Sequence, residues 1–405
     1  MKKLRIIMLV LIMCLCGCGI KASTKQGDVL SAENPEGRIV ITLDTWQKSV
    51  TDLDQEVMAF NQSNSKYFVR MITYEDMERE DFLTARSVKI LTGRGADIYV
   101  LNGDKRFKAY IEKGVLEKLD TYIEADIRKE EYVDNVFDIY RYNDATYAVP
   151  GYFAINLLIG SKDMFPNEAS VSFEELCEVV EREKPESIMG RSPMVTLWWL
   201  YNTFSLDVTN PEQLRKGIEL AKEYCYKRPS ERDTKFAGLG KETVLMDTMV
   251  SATTWMVHEK ATFGTYGEDF VAVNRPYLSG LTLGINHASE EKEGAWEFIR
   301  FVLSEERQRE RAFGQKVCKS VFMEELLEES AYVEEFYSVP KEKVEQEFLQ
   351  MVEDCIRSGK ADLLCRDYDA WLILSEEVQA YYDGMRGLDE TIDMIQNRLN
   401  LYYME

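Results

Sequence analysis

Histidine is almost absent from the chain, because only His258 and His287 occur among 405 residues. A serine hydrolase also needs a nucleophile elbow, and no GxSxG motif is present. The segment 258–262 (HEKAT) lacks the second histidine of the HExxH zinc motif. The five cysteines beyond residue 100 follow no CxxC spacing, so we expect small buried thiols, with a Cys355–Cys365 disulfide as the alternative. We therefore expect no catalytic residue, no metal and no cofactor.

Positive charge is scarce as well, since 49 Lys and Arg residues stand against 71 Asp and Glu residues, a formal net charge of −22. A surface of this sign repels nucleic acid and anionic lipid, so neither is expected as a partner. Long apolar runs are also missing: residues 6–15 form a run of ten, whereas a membrane-spanning helix needs roughly 20. The length of the chain and its 45% of apolar residues are those of a folded protein with two domains.

The first eighteen residues have the pattern of a bacterial export signal. A cationic start (MKKLR) precedes the apolar run, and residues 15–18 (LCGC) resemble the lipobox of bacterial lipoproteins. This resemblance implies that residues 1–17 are a signal peptide and that Cys18 carries a lipid; an ordinary cleaved signal is the alternative. Residues 18–37 would then be a flexible tether, and the protein would lie on the extracellular face of the cell membrane, attached through its lipid anchor only.

Beyond this tether, apolar runs alternate with amphipathic segments. The runs predict strands over residues 38–43, 67–73 and 97–101, with a helix between each pair. Strands separated by helices are typical of crossover connections, so this βαβαβ order predicts an α/β fold with a parallel sheet.

A second α/β unit is predicted after residue 150, with strands over residues 155–160 and 280–286. Its helices are marked by their first residues. Ser172 and Glu175 have the spacing of a capping box, and Asn210 stands before a proline at the first helical position. The remainder of the chain, from the helix with Trp296 onward, is predicted to be helical and acidic.

The order of four segments resembles the extracellular solute-binding proteins of carbohydrate ABC importers, the family that includes maltose-binding protein. The most specific segment, residues 281–308, contains the phrase KEGAWEFIRF at the start of a predicted helix. Two stretches depart from the family: residues 314–317 (GQKV) replace a Phe-Pro-Val turn, and residues 186–270 match poorly. The resembling segments are residues 96–126, 145–153, 281–308 and 376–405.

The resemblance implies a two-lobed periplasmic-binding-protein-like fold of type II, in which each lobe is a mixed, mainly parallel sheet flanked by helices. Strand crossings are expected near residues 148–152 and 276–281, with a helical return near residues 330–340 and a helical C-terminal tail. The expected lobes are residues 38–148 with 281–332, and residues 149–280 with 333–405.

A sugar receptor needs flat aromatic rings for the apolar faces of its ligand and short polar side chains for the hydroxyls. Ligands of open α/β sheets lie beyond the carboxyl ends of strands, a position that Trp46 and Asn102 occupy in the sequence. In the second lobe either Trp198 or Trp199 is expected to face the cleft. Trp371 is added because maltose-binding relatives have a sugar-stacking Trp at this distance from the tail glycine. The predicted ligand-binding residues are Trp46, Asn102, Asp104, Tyr152, Trp198, Tyr266, Glu268 and Trp371.

Each of these residues also has a purely structural interpretation. Trp46 and Trp371 could be packed in a core, as we expect for Trp255 and Trp296. Asn102 and Asp104 could cap the helix that follows them, and Glu268 could be a solvated charge on a loop.

Four functions remain open at this point. The favoured one is a monomeric, non-enzymatic receptor with a carbohydrate ligand and an ABC permease in the membrane as its partners. A lipid-anchored glycoside hydrolase would share the export signal and the aromatic residues, and it needs only two suitably spaced acids. A solute-binding protein for a non-sugar ligand, or a surface lipoprotein that contacts other proteins, completes the set.

Overall fold

The computed structural model describes residues 37–46, 53–74, 76–104, 106–165, 171–225, 243–250, 270–311, 314–337, 350, 352–361 and 367–404. The predicted βαβαβ unit is confirmed in the first described part of the chain. The central strand pairs in parallel with a neighbour on each side, and Leu53, Val57 and Phe60 are buried on one face of the first helix. The elements are β1 (Ile39–Asp44), α1 (Leu53–Ser63), β2 (Tyr67–Ile72), α2 (Arg79–Leu91) and β3 (Ile98–Val100).

Two strands of the sheet are much longer than the apolar runs at residues 155–160 and 280–286 predicted. β6 (Val149–Ser161) has 13 residues and β8 (Phe270–Ile285) has 16, and they pair antiparallel from Val149 opposite Leu283 to Ser161 opposite Phe270. With Leu245–Val250 as β7, the described sheet has the order β2-β1-β3-β8-β6-β7, so it is parallel at the β2 edge and antiparallel from β3 to β7. The other strands are β4 (Arg141–Tyr142), β5 (Ala145–Thr146), β7 (Leu245–Val250) and β9 (Lys360–Ala361).

β6 and β8 contribute side chains to both hydrophobic cores. Along β6, Ile155, Leu157 and Ile159 belong to the first core and Leu158 to the second; along β8, Leu278 belongs to the first and Val273 to the second. The first core is built on β1, β3 and the helix Lys292–Leu303, whereas the second is built on helices from the middle and the end of the chain. The predicted core residue Trp296 is confirmed, because it is buried in the first core. Besides α1 and α2, the helices around the first core are α3 (Phe107–Glu112), α4 (Asp120–Asp126), α8 (Lys292–Leu303), α9 (Glu305–Glu310) and α10 (Lys319–Tyr337).

Helix starts in the second unit follow the predicted caps. Ser172 accepts a hydrogen bond from the Glu175 backbone while the Glu175 side chain accepts from the Ser172 backbone, which completes the capping box. The Asn210 side chain accepts from the backbone N–H groups of Glu212 and Gln213. The helices of this unit are α5 (Phe173–Glu183), α6 (Pro193–Asn202), α7 (Pro211–Glu223), α11 (Tyr368–Tyr382) and α12 (Leu388–Met404).

The first part of β6 contains a bulge that a buried glutamine completes. Pairing with β8 shifts register between Pro150 and Tyr152, which leaves Gly151 out of the ladder. Gln308 on α9 is 0% exposed; its amide nitrogen donates to the Gly151 carbonyl at 2.8 Å, and its amide oxygen accepts from the Val317 N–H at 3.0 Å. Gln308 therefore satisfies the Gly151 carbonyl of the irregular strand and the Val317 N–H beyond α9.

Replacing Gln308 by Leu, which has a similar volume, should lower the free energy of unfolding by about 2–4 kcal/mol, because each buried polar group that loses its partner costs about 1–3 kcal/mol. Urea denaturation followed by circular dichroism measures this loss. Gln379→Leu is the matched control, since Gln379 is exposed and its side chain bonds to Asp383 on the surface. Equal stability of both variants would contradict the role assigned to Gln308.

The two tail helices are joined by a buried carboxylate. Glu377 on α11 is paired with Arg386, which precedes α12, and with Arg398 on α12 at 2.7 Å. Burial opposes ionisation of Glu377, but the hydrogen bonds from the two guanidinium groups outweigh it and lower the pKa of this carboxyl below the ordinary value of 4.5.

A carboxyl whose pKa is lowered by folding stabilises the native state above its unfolded pKa and loses that contribution as the pH falls through the folded pKa. Glu377→Gln should therefore be less stable than the wild type by about 1–3 kcal/mol at pH 7. This difference in stability should decrease as the pH falls below the ordinary carboxyl pKa of 4.5. Unfolding free energies measured between pH 7 and pH 3 test this. Glu376→Gln should change little, since its side chain is 58% exposed; a difference for Glu377→Gln that does not depend on pH would disprove the linkage.

Candidate functional site

The loop after β1 presents Trp46 in a fixed orientation. The Trp46 indole N–H donates to the Met77 carbonyl at 2.8 Å, and the Trp46 carbonyl accepts from the Tyr74 N–H at 3.0 Å. The ring is half-buried, so part of it remains accessible. A partly exposed aromatic ring at the carboxyl end of a parallel strand can cover the apolar face of a ligand.

Asn102 connects the loop after β3 to strand β8. Its amide oxygen accepts from the Thr282 N–H at 2.7 Å, and its carbonyl accepts from the Arg79 guanidinium at 2.8 Å. The Asn102 side chain thus fixes the loop beside Trp46, and contact with a ligand stays a prediction.

Asp104 is more deeply placed than a surface ligand-binding acid. It is 1% exposed; one oxygen pairs with Arg86 at 3.1 Å, and the other accepts from the Arg106 N–H at 3.1 Å just before α3. The bond to Arg106 forms a turn before α3, whose N-cap Arg106 has no side-chain cap. Contact of Asp104 with a ligand remains a prediction.

A cluster of aromatic side chains lies between α6 and α11 in the second unit. Trp371 is 8% exposed; its ring meets the Trp198 ring edge to face at 4.9 Å between centroids and stacks on Tyr201 at 6.0 Å. Trp199 is buried at 4% exposure, whereas Trp198 is half-buried. Of the two neighbouring tryptophans, Trp198 is thus the one with accessible ring surface.

The first turn of α11 holds this aromatic cluster in place. Asp367 caps the helix by accepting from the backbone N–H groups of Asp369 and Ala370, and its carbonyl accepts from the Tyr201 hydroxyl at 2.8 Å. The Tyr402 hydroxyl donates to the Asp367 carboxylate at 3.1 Å. Tyr201 was missed in the sequence, although it follows the paired tryptophans within the same helix.

Charges of the two units also interact. Partial desolvation and the neighbouring Asp367 raise the pKa of Asp369, while Arg106 and Lys113 act in the opposite direction. Asp369 lies in the first turn of α11 in the second unit, and the two cations flank α3 of the first. The start of α11 therefore lies within electrostatic range of the loop that contains Asp104.

Tyr152 lies in β6 and is buried. The Arg311 guanidinium carbon lies 5.2 Å from the centre of its ring. Gly314 has a φ of +89°, and a Cβ there would lie 2.2 Å from the Tyr152 ring. Only glycine, which has no Cβ, can approach the Tyr152 ring this closely at the start of the GQKV segment. The next residue, Gln315, exchanges both backbone hydrogen bonds with Phe153.

Three predicted residues, Cys18, Tyr266 and Glu268, lie outside the described residues. Sequence reasoning also missed Arg86, which is 1% exposed and contacts Asp44 and Asp104 beneath the two loops. A signal for it exists, because Phe82 precedes Arg86 by one helical turn and would place an arginine on the buried face of α2.

The described ranges contain no group of three or more His, Cys, Asp or Glu side chains that could hold a metal ion. No described helix has both the length and the apolar character needed to span a bilayer. Cys355 is a free thiol, and burial raises its pKa to about 12.

The chain matches the model of one known protein family. The model of the family described as bacterial extracellular solute-binding protein matches residues 71–309, more than half of the chain. No curated protein matches the chain significantly.

Solved structures resemble the fold along nearly the whole chain. An ABC transporter solute-binding protein from Agrobacterium radiobacter K84 in complex with ribitol has a TM-score of 0.53 at 16% identity, covering 89% of this chain and 98% of its own. Maltose-bound MalE3 of T. maritima has a TM-score of 0.50 at 16% identity, covering 90% of this chain and 100% of its own. The predicted two-lobed periplasmic-binding-protein-like α/β fold is thereby confirmed.

Proposed function

Because the chain belongs to the bacterial extracellular solute-binding proteins, we propose that it is a receptor that binds a sugar or short oligosaccharide between its lobes and delivers it to an ABC permease. The observation that carries the proposal is the occurrence of partly exposed tryptophans on both units, Trp46 after β1 and Trp198 against the second core. A ligand between the units could then be covered on two faces.

The physical chemistry of sugar binding fits these rings. Covering one sugar face with an indole removes about 100 Å² of apolar area from water, which at ~25 cal/mol/Å² contributes about 2–3 kcal/mol. Two such rings and a few oriented hydrogen bonds reach the roughly −8 kcal/mol of micromolar affinity. The bound ribitol and maltose of the two similar structures support a polyhydroxylated ligand. The proposed contacts also include Asn102, Asp104, Tyr152, Tyr266, Glu268 and Trp371.

The proposed mechanism is closure of two lobes about the crossing strands. The lobes are residues 38–148 with 281–332 and residues 149–280 with 333–405, joined by β6 and β8. Only the closed form lets both lobes contact the ligand, so binding shifts the population toward closure. The closed receptor would dock on the permease as a monomer.

The proposed location is the extracellular face of the cell membrane, with Cys18 as the lipidated residue. Each buried methylene of an acyl chain contributes about 0.8 kcal/mol, and two or more chains hold a protein firmly on a membrane. Removal of the three cations of residues 1–17 from a net charge of −22 leaves −25 for the lipidated protein, so attraction to an anionic bilayer is expected to come from the lipid.

Cys18→Ala should abolish palmitate labelling and move the protein from the membrane to the soluble fraction of a lipoprotein-processing bacterial host. Cys16→Ala is the matched control and should remain labelled and membrane-bound. Labelling of the Cys18→Ala protein would disprove the assignment of the anchor.

Sugar binding can be tested with the soluble form that begins after Cys18. A ligand at about 100 times its Kd should stabilise the protein by about 2.7 kcal/mol in a thermal-shift screen of mono- and oligosaccharides. With a sugar that binds, Trp46→Ala and Trp198→Ala should each weaken affinity by about 30–150-fold, the equivalent of 2–3 kcal/mol.

Tyr403→Ala is the control for these variants, because Tyr403 is an exposed ring at the end of α12. Its affinity should match that of the wild type. Unchanged affinity in both tryptophan variants would remove those rings from the site, and hydrolysis of the bound sugar would favour the glycoside hydrolase. A hit with a non-sugar solute alone would replace the ligand class and keep the receptor function.

A further inference from the structure

Arg86 is a charged side chain enclosed almost completely in the first unit. It lies on α2 at 1% exposure, with its guanidinium carbon 4.4 Å from the centre of the Phe82 ring and 5.7 Å from that of Tyr99. Burying a charge is costly unless opposite charges and hydrogen bonds compensate it. The positions of the groups that compensate this charge therefore indicate the role of Arg86.

The compensating groups belong to the ends of two neighbouring strands. Nη2 donates to the Asp44 carboxylate at 2.9 Å and to the Val100 carbonyl at 3.0 Å, and Nε reaches the same Asp44 oxygen at 3.1 Å. Nη1 donates to Asp104 at 3.1 Å. Asp44 and Val100 are the last residues of β1 and β3.

The loop with Trp46 and the loop with Asn102 both lie next to groups that Arg86 binds. Asp44 is two residues before Trp46, and Asp104 closes the loop that begins with Asn102. A planar guanidinium offers its donors in one rigid fork, so the spacing between two groups bound to it is set by the fork. Arg86 thus fixes the distance and orientation of one loop relative to the other.

The carboxylates are held on their other sides as well. The Tyr74 hydroxyl donates to Asp44 at 3.3 Å, and the second oxygen of Asp104 accepts from the Arg106 N–H at 3.1 Å. Asp44 is 2% exposed and Asp104 is 1% exposed, so water contributes little to either. Without the guanidinium, two carboxylates of like charge would remain buried in the same place.

We propose that Arg86 is a positioning residue for ligand binding, which sets the geometry of Trp46 and Asn102 through Asp44, Asp104 and the Val100 carbonyl without touching the ligand. The proposal rests on the proposed receptor function. It differs from a purely structural ion pair in one respect: affinity should depend on the shape of the guanidinium as well as on its charge.

The first measurement requires no ligand. The six tryptophans are labelled with 5-fluorotryptophan, and the Trp46 ¹⁹F resonance is assigned with Trp46→Phe. Arg86→Lys keeps the positive charge and removes the fork, so the Trp46 resonance should shift or broaden while the far-ultraviolet circular dichroism is retained. Arg386→Lys is the control, because Arg386 pairs with buried Glu377 in the second unit and should leave that resonance unchanged.

The second measurement uses maltose as the probe in isothermal titration calorimetry. Arg86→Lys should weaken maltose binding by about tenfold or more, since small displacements of positioned groups are costly, whereas Arg386→Lys should bind as the wild type does. The triple variant Arg86→Met with Asp44→Asn and Asp104→Asn removes the buried charges together. It should regain thermal stability relative to Arg86→Met alone and still bind maltose as weakly as Arg86→Lys.

The outcomes separate the two proposals. An unchanged Trp46 resonance in folded Arg86→Lys would overturn the positioning role, as would wild-type affinity for maltose in either Arg86→Lys or the triple variant. If the wild type itself fails to bind maltose, that result counts against this sugar as the ligand, and the ¹⁹F measurement alone decides the role of Arg86.

Discussion

The antiparallel pairing of β6 with β8 is the constraint on which the rest of the structure depends. These two strands contribute side chains to both hydrophobic cores, mainly to the first along β6 and to each core from a different part of β8. Their hydrogen bonds pair the main chain along the segments that supply both cores. Where the ladder is irregular, at Gly151, the side chain of Gln308 replaces the missing partner. A single sheet therefore contributes to both cores.

Charge compensation is the second organising feature of this acidic chain. The buried Glu56 on α1 accepts hydrogen bonds from Arg307 and Arg311, each at 2.8 Å. Arg86 donates to both Asp44 and Asp104. Burial lowers the pKa of Lys316, and Glu325 at 3.3 Å opposes that shift. A buried ion pair adds little net stability, but it specifies which elements meet, because either partner alone is costly to bury. In this protein such pairs join α1 to the α9 region and join the two loops of the candidate site.

The candidate site combines rigid support with accessible rings. Trp46 and Trp198 each have part of the ring exposed and part held by a neighbour, a hydrogen bond to Met77 in one case and the Trp371 ring in the other. Rings that are fixed before the ligand arrives lose little conformational entropy on binding. The family membership and this arrangement support the same function independently, since one comes from sequence similarity and the other from the positions of side chains.

Local sequence patterns determined the elements of this protein, and the tertiary structure decided how they are used. Hydrophobic periodicity predicted β1, β2 and β3, and short-range hydrogen bonding predicted the starts of α5 and α7, because these signals depend on residues close in sequence. The lengths of β6 and β8 could not be read in this way, since their ends are held by pairing between residues more than 100 positions apart. The burial of Asp104 and the role of Arg86 likewise depend on three segments that meet only in the folded chain. Whether a charged side chain can be buried depends on its partners, and partners that are distant in sequence meet only when the chain packs.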